Sequence, residues 1–208
     1  MIKIGWSDMP LLLCIELIER QAMLTLARQA IQAHWSQGNA QVANNLVHGD
    51  QKPGCFVTLR KHGELRGCIG TLEQDMPLQQ SIPYFARAAA FQDPRFPPLT
   101  KDELADCVIS ISLLSEREPI LAGSKEALLA ALTPFTDGLW LSDGYHRATF
   151  LPSVWRELPD KNDFIQHLLR KGGWSSQGWS SQGWPAQMTA WRYHSIEFSE
   201  PDGELVRE

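Results

Sequence analysis

The chain has no long apolar run. Its most hydrophobic stretch, residues 9–18, already contains Glu16, and Glu19 and Arg20 follow at once. A membrane-crossing helix needs about 20 consecutive apolar residues. A secretory signal is not read either: Lys3 is the one early positive charge, and no small-residue cleavage site follows Leu11, Leu12 and Leu13. The expected location is cytoplasmic, away from membranes. Cysteine is scarce. Cys14, Cys55, Cys68 and Cys107 are spread through apolar segments with no C-x-x-C pair, a spacing that suits neither a disulfide framework nor a structural zinc site. Reduced and mostly buried thiols are expected. Basic charge is not in excess: 19 Lys and Arg stand against 24 Asp and Glu, for a formal net charge of −5. A protein that grips nucleic acid through its phosphates carries a basic face, so nucleic acid is the weakest candidate partner. No H-E-x-x-H, P-loop, G-x-S-x-G or dinucleotide fingerprint is present, and His34, His48, His62 and His146 lack metal-ligand spacing. Neither a metal nor a cofactor is expected.

What is present suffices for a sizeable core. Of 208 residues, 43% are hydrophobic and 21% charged, with eight Trp and eight Phe, a globular composition for one domain over residues 1–208, built as two sub-lobes. Apolar residues at spacings of three and four predict a helix over 10–34. Residues 55–60 and 65–69 alternate around Gly63 and predict a hairpin. A helix is expected over 77–91, with Pro83 implying a start near Ser81 or a kink. A strand is read at 107–114, and Ser124 is placed to cap a helix over 125–132. Strands at 139–141 and 147–151 flank an Asp143-Gly144 turn. Two helices follow, over 152–157 and 162–170, and a closing strand spans 190–198. Strands and helices mix without βαβ alternation, which predicts an α+β fold around a largely antiparallel sheet with flanking helices. Residues 174–178 and 179–183 both read Trp-Ser-Ser-Gln-Gly, with Trp184 after them. Two copies are too few for a solenoid, so 174–184 reads as a duplicated loop insertion, the other reading being an aromatic platform for bases or a sugar.

Three places concentrate chemistry. In the segment Leu65-Arg66-Gly67-Cys68-Ile69-Gly70, residues two apart on a strand share a face, which would set the Arg66 guanidinium beside the Cys68 thiol and favour its thiolate. Gly67 and Gly70 permit close backbone approach or a bulge. A nucleophilic thiol, an anion pocket and a bulged strand with an inward-packed Cys all remain open readings. The run Asp93-Pro94-Arg95-Phe96-Pro97-Pro98 has its backbone fixed by three prolines, so Asp93 and Arg95 either clamp a polar ligand or pair with each other. His167 lies one turn before Lys171 on a predicted helix face. There it is a candidate acid or base, or part of an ordinary basic helix end.

Together, the L-R-G-C-I-G segment, the D-P-R-F-P-P-L run at 93–99, Leu151-Pro152-x-Val154 and Leu169-Arg170-Lys171-Gly172-Gly173 resemble the AMMECR-one family over about residues 20–198. The resemblance implies an α+β fold of two unequal lobes with an inter-lobe cleft, and places L-R-G-C-I-G at or near that cleft. It implies partners too, a Memo-type protein and a radical S-adenosylmethionine enzyme of the AmmeMemoRadiSam system, but no established reaction. Two departures stand out: Lys171-Gly172-Gly173 where Lys-Ala-Gly is common, and the doubled repeat. Two principal functions follow. One is a thiol-dependent modification enzyme, with Cys68 as nucleophile, Arg66 stabilising charge and His167 as acid or base. The other is a non-catalytic module that binds a partner or small anionic ligand through Arg66, Arg95 and Lys171. Gly67, Gly70 and Asp93 complete the expected ligand site.

Overall fold

The computed structural model describes residues 15–36, 46–174, 187–201 and 204–205. Cys14, the first residues of the predicted N-terminal helix and all of the doubled repeat after Trp174 lie outside them. The chain folds as two compact units, the first formed by residues 1–115 and 196–207, the second by 116–195. The fold is α+β, and its strands form two sheets rather than one.

The first unit holds a five-stranded sheet in the order β2-β1-β3-β8-β9. Its strands are β1 (Gly54–Lys61), β2 (Glu64–Thr71), β3 (Cys107–Leu114), β8 (Ser195–Ser199) and β9 (Glu204–Leu205). β1 pairs antiparallel with both β2 and β3. The predicted hairpin is closed by His62 and Gly63, whose φ angles of 53° and 87° match the twist-compatible two-residue turn. Two helices, α1 (Leu17–Gln32) and α2 (Leu78–Phe91), cover one face. The core lies there: Met23, Leu24, Ala27 and Ile31 of α1 meet Ile82, Phe85, Ala86 and Ala89 of α2 over Cys55, Val57, Leu59, Ile109, Ile111 and Leu113.

α2 starts at Leu78, earlier than Ser81, and runs through Pro83. The missing N–H of Pro83 leaves one early helical bond unmade. The first turn is anchored regardless, because the amides of Gln80 and Ser81 both donate to the Pro77 carbonyl at 2.8 Å. At its other end α2 carries Ala88, Ala89 and Ala90, small enough for the helix to press on β2. A Cβ on Gly67 would sit 2.2 Å from the Ala89 carbonyl oxygen.

The second unit has the sheet order β4-β7-β5-β6, from β4 (Glu118–Ile120), β5 (Gly138–Ser142), β6 (Arg147–Phe150) and β7 (Thr189–Tyr193). Helices α3 (Lys125–Ala131) and α4 (Lys161–Gly172) and a 3-10 turn at Pro152–Arg156 accompany it. Ser124 caps α3 as read, accepting from the Ala127 amide. In the core, Trp155 stacks on Phe164 with ring centres 3.6 Å apart and donates its indole N–H to the Asp137 carbonyl at 2.7 Å. α4 ends in Gly173 at φ 81°, with the Gly173 and Trp174 amides returning to Arg170 and Leu169. A Cβ on Gly172 would meet the Trp174 ring at 2.1 Å. Glycine at this position is what lets Trp174 fold back on the helix end.

The single closing strand expected over 190–198 is two strands, one in each sheet, broken at His194. The apolar positions shift phase there, from Trp191 and Tyr193 to Ile196 and Phe198 across the polar pair His194-Ser195, so the break is marked in the sequence by that slip. The return of the chain is secured by Glu200. Its carboxylate accepts from Arg28 and from the Ile109 amide, while Arg28 also donates to the Leu104 and Cys107 carbonyls.

Gly67→Ala is expected to destabilise the first unit by about 3 kcal/mol, because the clash is with backbone that cannot yield cheaply. Gly63→Ala, at an open turn position with positive φ, is expected to cost about 1 kcal/mol. Urea unfolding of both variants tests the ranking.

Candidate functional site

β2 is an edge strand. Pairing runs Thr58 with Cys68, Leu59 with Gly67 and Arg60 with Leu65, which leaves Arg66 as the extra residue of a β-bulge. The bulge breaks the alternation that would have set Arg66 beside Cys68. Arg66 turns instead to Glu103 in the 3-10 turn Glu103–Asp106, donating at 3.3 and 3.2 Å, and to the Pro97 carbonyl at 2.9 Å. Lys61 reaches the same carboxylate at 3.2 Å. Arg66, followed by the Thr100 amide, holds the Glu103 carboxyl down to about 2. The expectation that Arg66 activates Cys68 is therefore corrected: its charge is matched by Glu103.

The group beside Cys68 is the loop after α2. There the Phe96 amide returns to the Asp93 carbonyl at 3.1 Å and the Leu99 amide to the Ala90 carbonyl at 2.8 Å, closing a tight turn compatible with Pro94, Pro97 and Pro98. Asp93 is almost wholly buried, its side chain 2% exposed. Its Oδ1 accepts from the Arg95 amide at 3.1 Å and from Arg95 Nε at 2.9 Å. Its Oδ2 accepts from Arg95 Nη2 at 2.7 Å and from the Cys68 amide at 2.9 Å. Arg95 Nη2 then donates to the Cys68 carbonyl at 3.1 Å. The loop thus grips both polar groups of one peptide residue on the open side of the edge strand. Asp93 and Arg95 do pair with each other, and in doing so they hold Cys68. Arg95, chiefly, keeps the Asp93 carboxyl far below the usual carboxylate range.

This grip also sets the thiol. With its N–H and C=O aimed outward, Cys68 forms the non-hydrogen-bonded kind of pair with Thr58, the kind that brings side chains closest. Thr58 Oγ1 donates to Cys68 Sγ at 3.1 Å. Burial pushes the thiol above its ordinary value, and the carboxylates of Asp93 and Glu197 push the same way, against the Thr58 hydroxyl and the Arg95 charge. The direction is opposite to that of an activated thiolate. The other described cysteines, Cys55 and Cys107, are buried and free, and burial pushes Cys55 up to about 12.

Gly67 and Gly70 serve packing. Gly67 admits the Ala89 carbonyl, and a Cβ on Gly70 would lie 2.4 Å from both the Cys55 carbonyl and the Phe56 ring. Arg95, with a side chain 53% exposed, is the member of the clamp most open to a ligand. Its guanidinium carbon lies 5.5 Å from the Phe96 ring centre. His167 and Lys171 belong to the second unit. His167 is exposed on α4, and Lys171 donates to the Thr149 carbonyl at 3.0 Å and lies 5.2 Å from the Phe150 ring centre. The titratable groups bearing on Cys68 are Asp93, Arg95 and Glu197, all of the first unit. Thr58, Glu103 and Glu197 went unread in the sequence. Counting back from the turn pairs Cys68 with Val57, and it is the extra residue Arg66 that moves Thr58 opposite Cys68; Glu103 and Glu197 carry no local signal.

No group of three or more His, Cys, Asp or Glu arranged to hold a metal occurs among the described residues. Nor is any described helix long and apolar enough to cross a membrane.

An α+β chain with an edge strand clamped by an Asp-Pro-Arg loop is the class that fold and site define. The family follows from comparison: the AMMECR1 family model matches residues 24–198, and the chain belongs to that family. A protein of Methanosarcina mazei is 33% identical over 197 residues, covering 91% of this chain and 96% of the relative. Protein MJ0810 of Methanocaldococcus jannaschii is 34% identical over 165 residues, covering 76% of this chain and 79% of the relative. Among solved structures, the uncharacterized protein PH0010 of Pyrococcus horikoshii superposes with a TM-score of 0.79 at 26% identity, covering 93% of this chain and 98% of that one.

Asp93→Ala is expected to cost about 3 kcal/mol, because it strands the half-buried Cys68 amide and removes the partner of Arg95. The carboxyls of Asp93 and Glu103 titrate lower in the folded chain than in the unfolded one. Stability from both is therefore fully present above the unfolded values and falls as pH drops from about 5 towards 2. Urea midpoints measured down that range should decline less steeply in Glu103→Gln than in the unsubstituted chain.

Proposed function

We propose that this AMMECR1-family chain is a non-catalytic recognition component that meets a partner protein or small anionic ligand through the clamped face around Arg95. By resemblance, it works alongside a Memo-type protein and a radical S-adenosylmethionine enzyme. The observation that carries this reading is the state of Cys68. Its thiol is pushed up, its hydrogen-bond partner is a threonine hydroxyl, and its peptide is fixed on both polar sides. A thiol nucleophile needs thiolate at neutral pH, supplied by a nearby cation or base. Here Arg66 is matched by Glu103, and the Arg95 charge is shared with Asp93. The same features suit recognition. A guanidinium half in solvent, anchored by three bonds to a carboxylate and a carbonyl, offers an acceptor-seeking edge with little side-chain entropy left to lose on binding.

Alkylation of native protein, read at Cys68 by peptide mass spectrometry against pH, is expected to have its midpoint above that of a free thiol. A midpoint below 7 would place the chain among thiol enzymes and overturn the reading. In a capture assay with the Memo-type and radical S-adenosylmethionine proteins of the same genome, Arg95→Ala is expected to weaken association at least about ten-fold, as for loss of a charged anchor. Cys68→Ala is expected to leave it within about two-fold.

A further inference from the structure

α2 presents a second candidate site on its exposed face. Pro83, Tyr84, Arg87 and Gln92 line a half-open surface cavity of about 350 Å³, room for a small ligand that keeps one side in solvent. Tyr84 is 56% exposed, although tyrosine is an amphipathic ring that ordinarily covers much of its apolar body. Arg87 stands one turn further along the same face. An exposed helical arginine commonly has a carboxylate three or four residues away. Here those positions hold Pro83, Tyr84, Ala90 and Phe91, and the whole helix contains no Asp or Glu. The next acid along the chain, Asp93, already accepts four hydrogen bonds from Cys68 and Arg95. Pro83 gives the cavity a rigid wall, since its ring is fixed to the helix backbone. Gln92, just beyond the helix, contributes an amide that both donates and accepts.

We propose that this cavity binds an organic carboxylate with a flat apolar body. The carboxylate would lie on Arg87, and the body would pack against Tyr84 and Pro83. The pieces are complementary in kind: a planar guanidinium takes a carboxylate through two parallel bonds, and an exposed aromatic ring gains from a flat apolar neighbour. A free aryl carboxylate and the carboxyl end of a peptide finishing in an aromatic residue share this chemistry. The site involves none of the residues that hold Cys68, so it stands independently of the recognition reading above.

The test is an NMR titration of the isotopically labelled full chain with phenylacetate, phenylacetamide and acetyl-Gly-Gly-Phe. Phenylacetate is expected to shift the backbone amides of Tyr84, Arg87 and Gln92 saturably, with a Kd on the order of millimolar for a ligand of its size. Phenylacetamide, the neutral isostere, is expected to bind at least about ten-fold more weakly, as is phenylacetate to Arg87→Gln. Arg87 is solvent-facing, so its replacement should leave the fold intact, and Arg87→Lys should recover part of the affinity. Tighter binding of acetyl-Gly-Gly-Phe than of phenylacetate would assign the site to a peptide terminus, and the reverse order to a free small carboxylate. Shifts that are absent or scattered over the surface, equal binding of acid and amide, or unchanged affinity in Arg87→Gln would each overturn the proposal.

Discussion

One buried carboxylate organises the first unit's candidate site. Asp93 accepts the Cys68 amide and the Arg95 guanidinium with the same oxygen, and Arg95 completes the circuit at the Cys68 carbonyl. An edge strand exposes unpaired backbone groups that invite pairing with another chain. Here the loop after α2 satisfies those of Cys68 with one acid and one base. An isolated buried carboxylate would be costly, and this one is tolerable because its charge is matched and both oxygens are bonded. Much nearby structure depends on the arrangement: the tight turn that places Asp93, the return of Leu99 to α2, and the close approach of Ala89 to Gly67.

The same circuit decides what Cys68 can do. Fixing its peptide outward turns its side chain to Thr58, across the hairpin, and not to a base. Arg66, one residue out of register because of the bulge, is drawn to Glu103 and the Pro97 carbonyl. The cation nearest in sequence is thus not the one that bears on the thiol. The one that does, Arg95, is countered by Asp93 and Glu197. The segment that reads most like a nucleophile motif is, in the folded chain, a bulged edge strand gripped by the loop after α2.

Much of the fold was legible in the residues. The hairpin of β1 and β2 follows from alternation around Gly63, the start of α3 from Ser124, and the end of α4 from consecutive glycines after a basic turn. Other features were hidden for identifiable reasons. Gly67 and Gly70 marked the strand as one that could bulge, and it does, but they did not say where, so the shared-face argument for Arg66 and Cys68 failed at the one extra residue. Pro83 suggested a late start for α2, but anchoring at Pro77 lets the helix begin at Leu78 and run through it. The two strands on either side of His194 read as one because both are apolar and only one residue separates them, although they join different sheets and the apolar positions slip by one between them. At the site, the Asp93–Arg95 pairing was among the readings of the sequence. Its target, the backbone of Cys68, was not, because a strand's edge is a property of sheet order rather than of local sequence.

The most direct test of this account is the hydrogen-exchange rate of the Cys68 amide in the native chain, measured by NMR. If Asp93 holds that amide, it exchanges as slowly as amides inside the β1–β3 ladder despite lying on the open edge, and Asp93→Ala releases it. Exchange of the Cys68 amide at the rate of an unprotected edge in the unsubstituted chain would contradict the clamp, and the reading of the site with it.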